Sequence, residues 1–201
     1  MAEATMDDTG GAMPYPVQYS VEYPETSSRL KALFRLILVI PIAAIYLLVS
    51  GINGALFPAL VLMMLFRKKY PKWWFEVNLE VERFTARCGA YLTLLRDEYP
   101  STDEQQAVQL DIEYPDAQND LNRWLPLVKW LLALPHWIII GILSYVWVIV
   151  VVISWIAIII TGKHPRGLFD FLVGYGRWAY RVIAYSILLT TDRYPPFRFG
   201  P

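Results

Sequence analysis

Cysteine is almost absent from this 201-residue chain, because Cys88 is the only one. A single thiol forms neither an intrachain disulfide nor a cluster of thiolate ligands for zinc. Histidine is nearly as scarce, and neither His136 nor His164 has a second histidine, a cysteine or a carboxylate at ligand spacing. The sequence therefore predicts no metal site and no cofactor.

Net charge is also lacking, since 18 basic residues balance 18 acidic ones. Non-specific nucleic-acid binding needs an excess of lysine and arginine to neutralise phosphates, so nucleic acid is not expected as a partner. Catalytic motifs are missing as well. No Gly-x-Ser-x-Gly elbow is present, and Gly174-Tyr175-Gly176 lacks the strand-turn-helix context of a phosphate loop. We expect no enzyme activity.

Apolar residues are abundant instead, with 56% hydrophobic and 15% aromatic residues and a positive mean hydropathy. This composition is typical of a membrane protein. Residues 1–14 are acidic and contain glycine and proline, without the basic start and apolar core of a signal peptide. They are predicted to form a disordered tail.

The chain contains an internal duplication. Residues 17–25 (VQYSVEYPE) return at 108–116 (VQLDIEYPD) with five of nine positions identical, and 67–95 matches 161–189 with nine of 29 identical. Charged, proline and tyrosine positions match as well as apolar ones, which similar hydrophobicity alone does not explain. The predicted organisation is a first unit at 15–100, an acidic linker at 101–107 and a second unit at 108–201.

Each unit is predicted to open with a short strand, because apolar and polar residues alternate at 17–23 and 108–114. The two strands are expected to pair with each other. An apolar stretch of 37 residues follows in each unit, at 30–66 and 124–160, with a break at Ser50–Gly54 and a milder one near 141–145. About 20 apolar residues span a bilayer as a helix, so each stretch predicts a membrane hairpin of two short helices, kinked by Pro41 or Pro135.

Four membrane crossings would follow from two hairpins. The alternatives are hairpins that enter the membrane without crossing it, or one long tilted helix in the second unit. Basic residues at the hairpin ends, and none at the tips, place both termini in the cytoplasm by the positive-inside rule. Arg35 and Lys129 lie inside the apolar stretches, where they either extend to the interface or act as buried functional cations.

The last part of each unit, at 73–95 and 167–189, has the spacing of an amphipathic helix that lies in the membrane interface. Two arginines four residues apart lie on one face of each helix and suit phosphate groups. The simpler interpretation is an intramolecular ion pair, such as Arg83 with Glu80 or Glu76 and Arg177 with Asp170. The candidate contacts to lipid headgroups or to a partner are Arg83, Arg87, Arg177, Arg181, Lys68, Lys69, Lys163 and Arg166.

The segments 65–71 (LFRKKYP), 161–171 (TGKHPRGLFDF) and 191–197 (TDRYPPF) carry a recognisable pattern. Together with Gly176-Arg177-Trp178 they resemble the bacterial membrane family called domain of unknown function 4389 (DUF4389), twice over residues 17–199. The first unit departs from that pattern at Trp73-Trp74 and at Glu98-Tyr99-Pro100. The resemblance implies a membrane topology and no mechanism.

The fold expected is therefore a mainly α membrane protein of two tandem repeats. We expect a multi-pass cell-membrane protein that acts as a non-catalytic scaffold or accessory subunit. Its partners would be the lipid bilayer and a membrane protein or a second copy of the chain. The alternative is a lipid-handling or small-solute transport protein whose arginine pairs contact anionic headgroups.

Overall fold

The computed structural model describes residues 14–38, 40–102 and 104–200, and all their side chains except those of residues 36, 43, 46 and 48–56. The predicted tail at 1–14 lies outside the described residues, apart from Pro14. The first unit contains strand β1 (Val17–Val21) and helices α1 (Arg29–Leu38), α2 (Ile40–Arg67) and α3 (Lys72–Leu92). The second contains strand β2 (Val108–Ile112), a 3-10 turn (Leu125–Leu127) and helices α4 (Lys129–Leu132), α5 (Leu134–Thr161) and α6 (Arg166–Ser186).

The two strands pair with each other, as predicted, in an antiparallel ribbon centred on Tyr19 and Leu110. Their alternation places the apolar residues on one face, which is buried, while Gln18 and Gln109 are exposed on the other. A two-stranded ribbon is marginal in water on its own. Here the buried face packs on helices, which provide the missing stabilisation.

The ribbon exchanges strands between the two units. β1 packs on α6 of the second unit, and β2 packs on α3 of the first. Matching hydrogen bonds hold both strands: Arg177 Nε donates to the Tyr19 carbonyl at 2.9 Å, and Arg83 Nε donates to the Leu110 carbonyl at 3.0 Å. Each unit therefore completes the core of the other.

The long apolar stretches do not fold as hairpins. α2 and α5 are continuous helices of 28 residues, and the breaks predicted at Ser50–Gly54 and 141–145 are absent. For the second unit the structure agrees with the alternative of one long helix. Glycine and serine weaken a helix by only about 1 kcal/mol each, which is too little to force a turn within an otherwise apolar sequence.

Pro135 does not kink the interior of a helix, which corrects the prediction from the sequence. It is the second residue of α5 and follows the turn at Ala133 that ends α4. The first backbone N–H groups of a helix have no intrahelical acceptor, so a proline at this position removes no hydrogen bond. Residue 39, between α1 and α2, lies outside the described residues, so the kink at Pro41 stays a prediction.

The predicted third helices are present as α3 and α6, with bounds within three residues of those expected. α5 packs along α6 and along α1 of the first unit. The described part of α2 makes the corresponding contacts with α3 and with the turn before α4. The molecule thus has three layers: the ribbon, then α3 and α6, then the long helices with α1 and α4.

Candidate functional site

The outer surface of α5 is apolar along the whole helix. Its inner face, at positions such as Ile140, Ser154 and Ile158, is buried against the rest of the protein. The opposite face exposes large side chains at three- and four-residue spacing, including Ile138, Ile142, Ile149, Ile153, Ile156 and Ile160. A continuous apolar surface of this kind is unfavourable in water, and the described part of the chain does not cover it.

Among the described residues, α5 is one helix long and apolar enough to span a membrane. The described end of α2, Phe57–Arg67, is a shorter apolar helix segment. Exposed apolar side chains continue from α5 onto its neighbours, with Leu33, Phe34 and Ile37 on α1 and Trp130 and Leu131 on α4. These outward residues of α1, α2, α4 and α5 are called the apolar layer below.

A buried ion pair anchors the start of this layer in each unit. Lys129 Nζ lies 2.7 Å from an Asp192 carboxylate oxygen and donates to the Thr191 carbonyl at 2.8 Å. Arg35 pairs in the same way with Asp97 and donates to the Tyr91 carbonyl. The second oxygen of each carboxylate accepts a backbone N–H at 2.6 Å, from Ser28 or Asn122.

The sequence allowed these two cations to extend to the membrane interface, but in the structure they do not. Lys129 is 0% exposed and Arg35 is 3% exposed. Each also lies over a tyrosine ring, Tyr185 for Lys129 and Tyr91 for Arg35. Burial lowers the pKa of Lys129, and the neighbouring Asp192 opposes that change. Both cations are therefore buried, and both serve internal contacts; a functional role for them stays a prediction.

The four arginines of α3 and α6 are also used within the chain. Besides binding β2, Arg83 forms 2.7 Å ion pairs with Glu80 and Asp111. Arg87 donates to the Ser101 carbonyl at 2.6 Å, and Arg181 donates to the carbonyls of Arg198 and Gly200. The first arginine of each pair thus holds a strand of the other unit, and the second holds the segment that follows its own helix.

The remaining basic candidates lie at the ends of the long helices. Lys69 and Lys163 are exposed, directly after α2 and α5. Arg166 is exposed too, lies over the Tyr23 ring and is 3.9 Å from Asp170, the carboxylate that the sequence had assigned to Arg177. Lys68 is half-buried and donates to the Gln118 carbonyl. Lys69, Lys163 and Arg166 therefore have the most freedom to meet an anion.

A charged cleft of about 830 Å³ lies beside the ribbon and is lined by β2, by α3 and by residues between 96 and 107. It contains both signs of charge, including Glu22, Arg83, Arg87, Arg96 and Glu98. Arg96 pairs with Glu98, so much of this charge is neutralised locally. The arrangement makes this side of the protein the polar one.

The two histidines are part of the aromatic packing. The His136 ring stacks on Phe197 with centroids 3.9 Å apart and accepts a hydrogen bond from Trp178 at 3.1 Å. His164 is 1% exposed and lies edge-on to Phe169, and burial lowers its pKa. Within the described residues, no group of three or more histidine, cysteine or acidic side chains is placed to hold a metal ion.

Comparison with family models gives two matches to the same model, the domain of unknown function DUF4389, at residues 29–102 and 124–198. The chain belongs to this family. Each DUF4389 copy contains one of the buried ion pairs, whereas both ribbon strands precede the matched residues. No curated protein and no solved structure matches the chain.

The aspartates of the ion pairs, Asp97 and Asp192, were not among the residues expected to matter. A signal for them exists in the sequence, since each opens the segment Asp-x-Tyr-Pro that closes its unit. The aspartate and the cation are 62 residues apart in the first unit and 63 in the second. Only the fold shows that they meet.

Proposed function

We propose that this protein is a non-catalytic membrane scaffold or accessory subunit. Its apolar layer is embedded in the lipid bilayer of the cell membrane, and its ribbon side faces water and binds a partner protein or a second copy of the chain. The observation that carries this proposal is the outer face of α5, which is apolar over 28 residues and has no cover within the described chain.

The use of the charged residues supports a non-catalytic role. Arg83, Arg177 and Arg181 hold strands and chain ends, and Arg35 and Lys129 hold the short helices. Groups fixed in this way stabilise the fold and have little freedom for proton transfer. The exposed Lys69, Lys163 and Arg166 remain candidates for contacts with anionic headgroups.

Membrane attachment is tested by fractionating cells that express the full chain. We expect the protein to stay with the membrane after washes with 1 M salt and with carbonate at pH 11, because burial of apolar surface does not depend on charge. Release by salt alone would show electrostatic adsorption, and release by carbonate would remove the basis of the proposal.

Partner binding is tested by a photo-crosslinking amino acid placed at Gln109, on the exposed face of the ribbon, in cells that express the protein at native level. We expect one discrete protein adduct of fixed stoichiometry. The matched control is the same amino acid at Ile149, on the apolar layer, which should react with lipid and give no protein adduct. If Gln109 and Gln18 both give no adduct, the scaffold function is wrong and the lipid-handling alternative is favoured.

A further inference from the structure

The centre of the ribbon is level with the first half of α5. Tyr175 of α6 contacts two residues of α5: its ring centroid is 6.2 Å from that of Trp147, and its hydroxyl donates to the Ile140 carbonyl at 3.3 Å. A Cβ atom on the next residue, Gly176, would lie 2.7 Å from the ring of Tyr19, the central residue of β1. The ribbon centre is therefore level with the part of α5 between Ile140 and Trp147, about 6 Å from the midpoint of the helix.

α5 is attached to the rest of the protein over its whole length. Near its start, Ile140 packs with Trp178 and Val182 of α6. Near its end, Trp155 Nε1 donates to the Ala32 carbonyl at 3.0 Å, and Ile158 packs against Leu94. No part of α5 projects as a free helix, so the orientation of α5 relative to a membrane fixes the orientation of the whole body.

An upright α5 would carry the ribbon into the bilayer. Its 28 residues span about 42 Å, and the hydrocarbon core is about 30 Å thick, so the helix can shift only about 6 Å either way while still spanning it. The ribbon centre would then stay within about 12 Å of the bilayer midplane, inside the hydrocarbon core, which ends about 15 Å from that plane. At that depth every backbone polar group needs an internal partner, and lipid-exposed sheet edges do not occur.

The ribbon does not meet those requirements. It has two strands and hence two edges with no neighbouring strand among the described residues, and the exposed face carries Gln18, Gln109 and Asp111. The charged cleft, with Glu98 and Glu104, lies next to it. Charged side chains at mid-membrane depth cost at least about 2.5–3.5 kcal/mol each. The upright orientation is therefore strongly unfavourable for the structure as a whole.

We propose that α5 lies parallel to the membrane surface, as does α2, which corresponds to α5 in the repeat. The protein is then embedded in one leaflet and does not cross the bilayer. This inference rests on the proposed membrane attachment and replaces the predicted multi-pass topology. The apolar layer reaches the acyl chains, and the ribbon and the cleft remain in water. The bound partner is the interfacial region of a bilayer.

The repeat symmetry agrees with this orientation. An antiparallel pair centred on Tyr19 and Leu110 relates the two units by an approximate two-fold axis normal to the ribbon. With the ribbon parallel to the membrane, that axis is the membrane normal, so the two units lie at the same depth. The exposed Lys69 and Lys163, at the ends of the two long helices, then both lie at headgroup level, where cations favour anionic lipid.

Spin-label depth measurements test the orientation. In a full-length Cys88→Ala chain, single cysteines at Ile138, Ile149 and Ile160 carry a nitroxide, and each protein is reconstituted in vesicles of 3:1 phosphatidylcholine and phosphatidylglycerol. These residues are 60%, 58% and 68% exposed and 11 residues apart, so they share one face of α5. Collision rates with oxygen and with a water-soluble nickel reagent report the depth of each label.

We expect the three labels to lie at similar depths, about 5–10 Å below the headgroups, and a control label at Gln18 to be in water. A label at Ile149 that is about 10 Å or more deeper than the other two would show a transmembrane helix. That outcome overturns the in-plane orientation but leaves membrane attachment intact. Labels shielded from both reagents would indicate cover by a second copy and would also overturn it. If the nickel reagent reaches all three labels, α5 is outside the lipid and the proposed membrane function itself fails.

Discussion

At the residue scale, the chain uses its buried charges as internal links. Lys129 and Arg35 occupy the same place in the two units, and each meets an aspartate from the end of its own unit. A charge taken out of water is tolerated only when it is paired and hydrogen-bonded. Both cations meet this requirement with a carboxylate and a backbone carbonyl.

Asp192→Asn should destabilise the protein by about 3 kcal/mol, because it leaves the fully buried Lys129 without a counter-charge. The amide oxygen of the variant still accepts the Asn122 N–H, so the loss of stability is due to the missing negative charge. For a chain of this size we expect the melting temperature in detergent to fall by roughly 6–12 °C.

The control is the double variant Lys129→Met with Asp192→Asn, which removes both charges and should recover most of the lost stability. Circular dichroism measures both variants. An equal loss in the single and double variants would show that the pair contributes through its shape or hydrogen bonds and not through its charge.

Glu82 is a half-buried carboxyl whose charge is unfavourable in the folded protein. It lies on α3 at the position of Gly176 in the repeat, and burial raises the pKa of its carboxyl to about 7. A raised carboxyl pKa means that the folded state binds a proton that the unfolded state releases, so stability falls as pH rises from about 4.5 to about 7.

Glu82→Gln should therefore stabilise the protein at pH 8, by about 2 kcal/mol, and change it little at pH 5. Melting temperatures of wild type and variant at the two pH values give the difference directly. The control is Glu76→Gln, at an exposed position on the same helix, which should have a small effect at both. A Glu82→Gln effect of equal size at pH 5 and pH 8 would contradict the assignment.

At the element scale, the main feature is the fit of each strand on the helix of the other unit. Tyr19 of β1 lies against Gly176 of α6. In the repeat, Leu110 of β2 corresponds to Tyr19, and Glu82 of α3 corresponds to Gly176. The larger strand residue, Tyr19, is thus the one that meets a glycine on the helix.

Gly176→Ala should destabilise the protein by about 1–3 kcal/mol, because the new methyl would lie 2.7 Å from the Tyr19 ring. In a Tyr19→Leu background the same change should become stabilising, by about 0.5–1 kcal/mol, since alanine favours a helix more than glycine does. Thermal unfolding of the four chains checks the change of sign. Gly89→Ala, where no atom lies within 4 Å, is the control and should stabilise in either background.

At the scale of the whole molecule, the duplicated units are interdependent. β1 and β2 each pack on the other unit, and α1 of the first unit packs on α5 of the second. Two repeats that were merely joined in tandem would keep such contacts within each unit. Here neither repeat contains a complete core.

Fragments 1–102 and 103–201 should therefore be unstable when expressed separately and should assemble when expressed together. Each lone fragment exposes the surface that the missing strand covers, and we expect at least a tenfold loss in its level in the membrane. Co-purification through a tag on one fragment measures assembly. A separate fragment that is as abundant and as thermostable as the full chain would contradict the interdependence.

The sequence by itself determined the duplication, the family, the two strands and the third helix of each unit. These follow from local patterns, such as the alternation at 17–23 and the spacing of charged residues along 73–95. Period and identity within one segment are enough to establish them.

Only the tertiary structure decided what the long apolar stretches and the buried charges do. Local breaks near Ser50 and Gly141 predicted hairpins, but packing along α6 and α1 stabilises one continuous helix in the second unit. The ion pairs join residues 62 and 63 positions apart, and the strand exchange joins residues as far apart as Tyr19 and Arg177. Such pairings have no local pattern, because their free energy arises only when distant segments are brought together and removed from water.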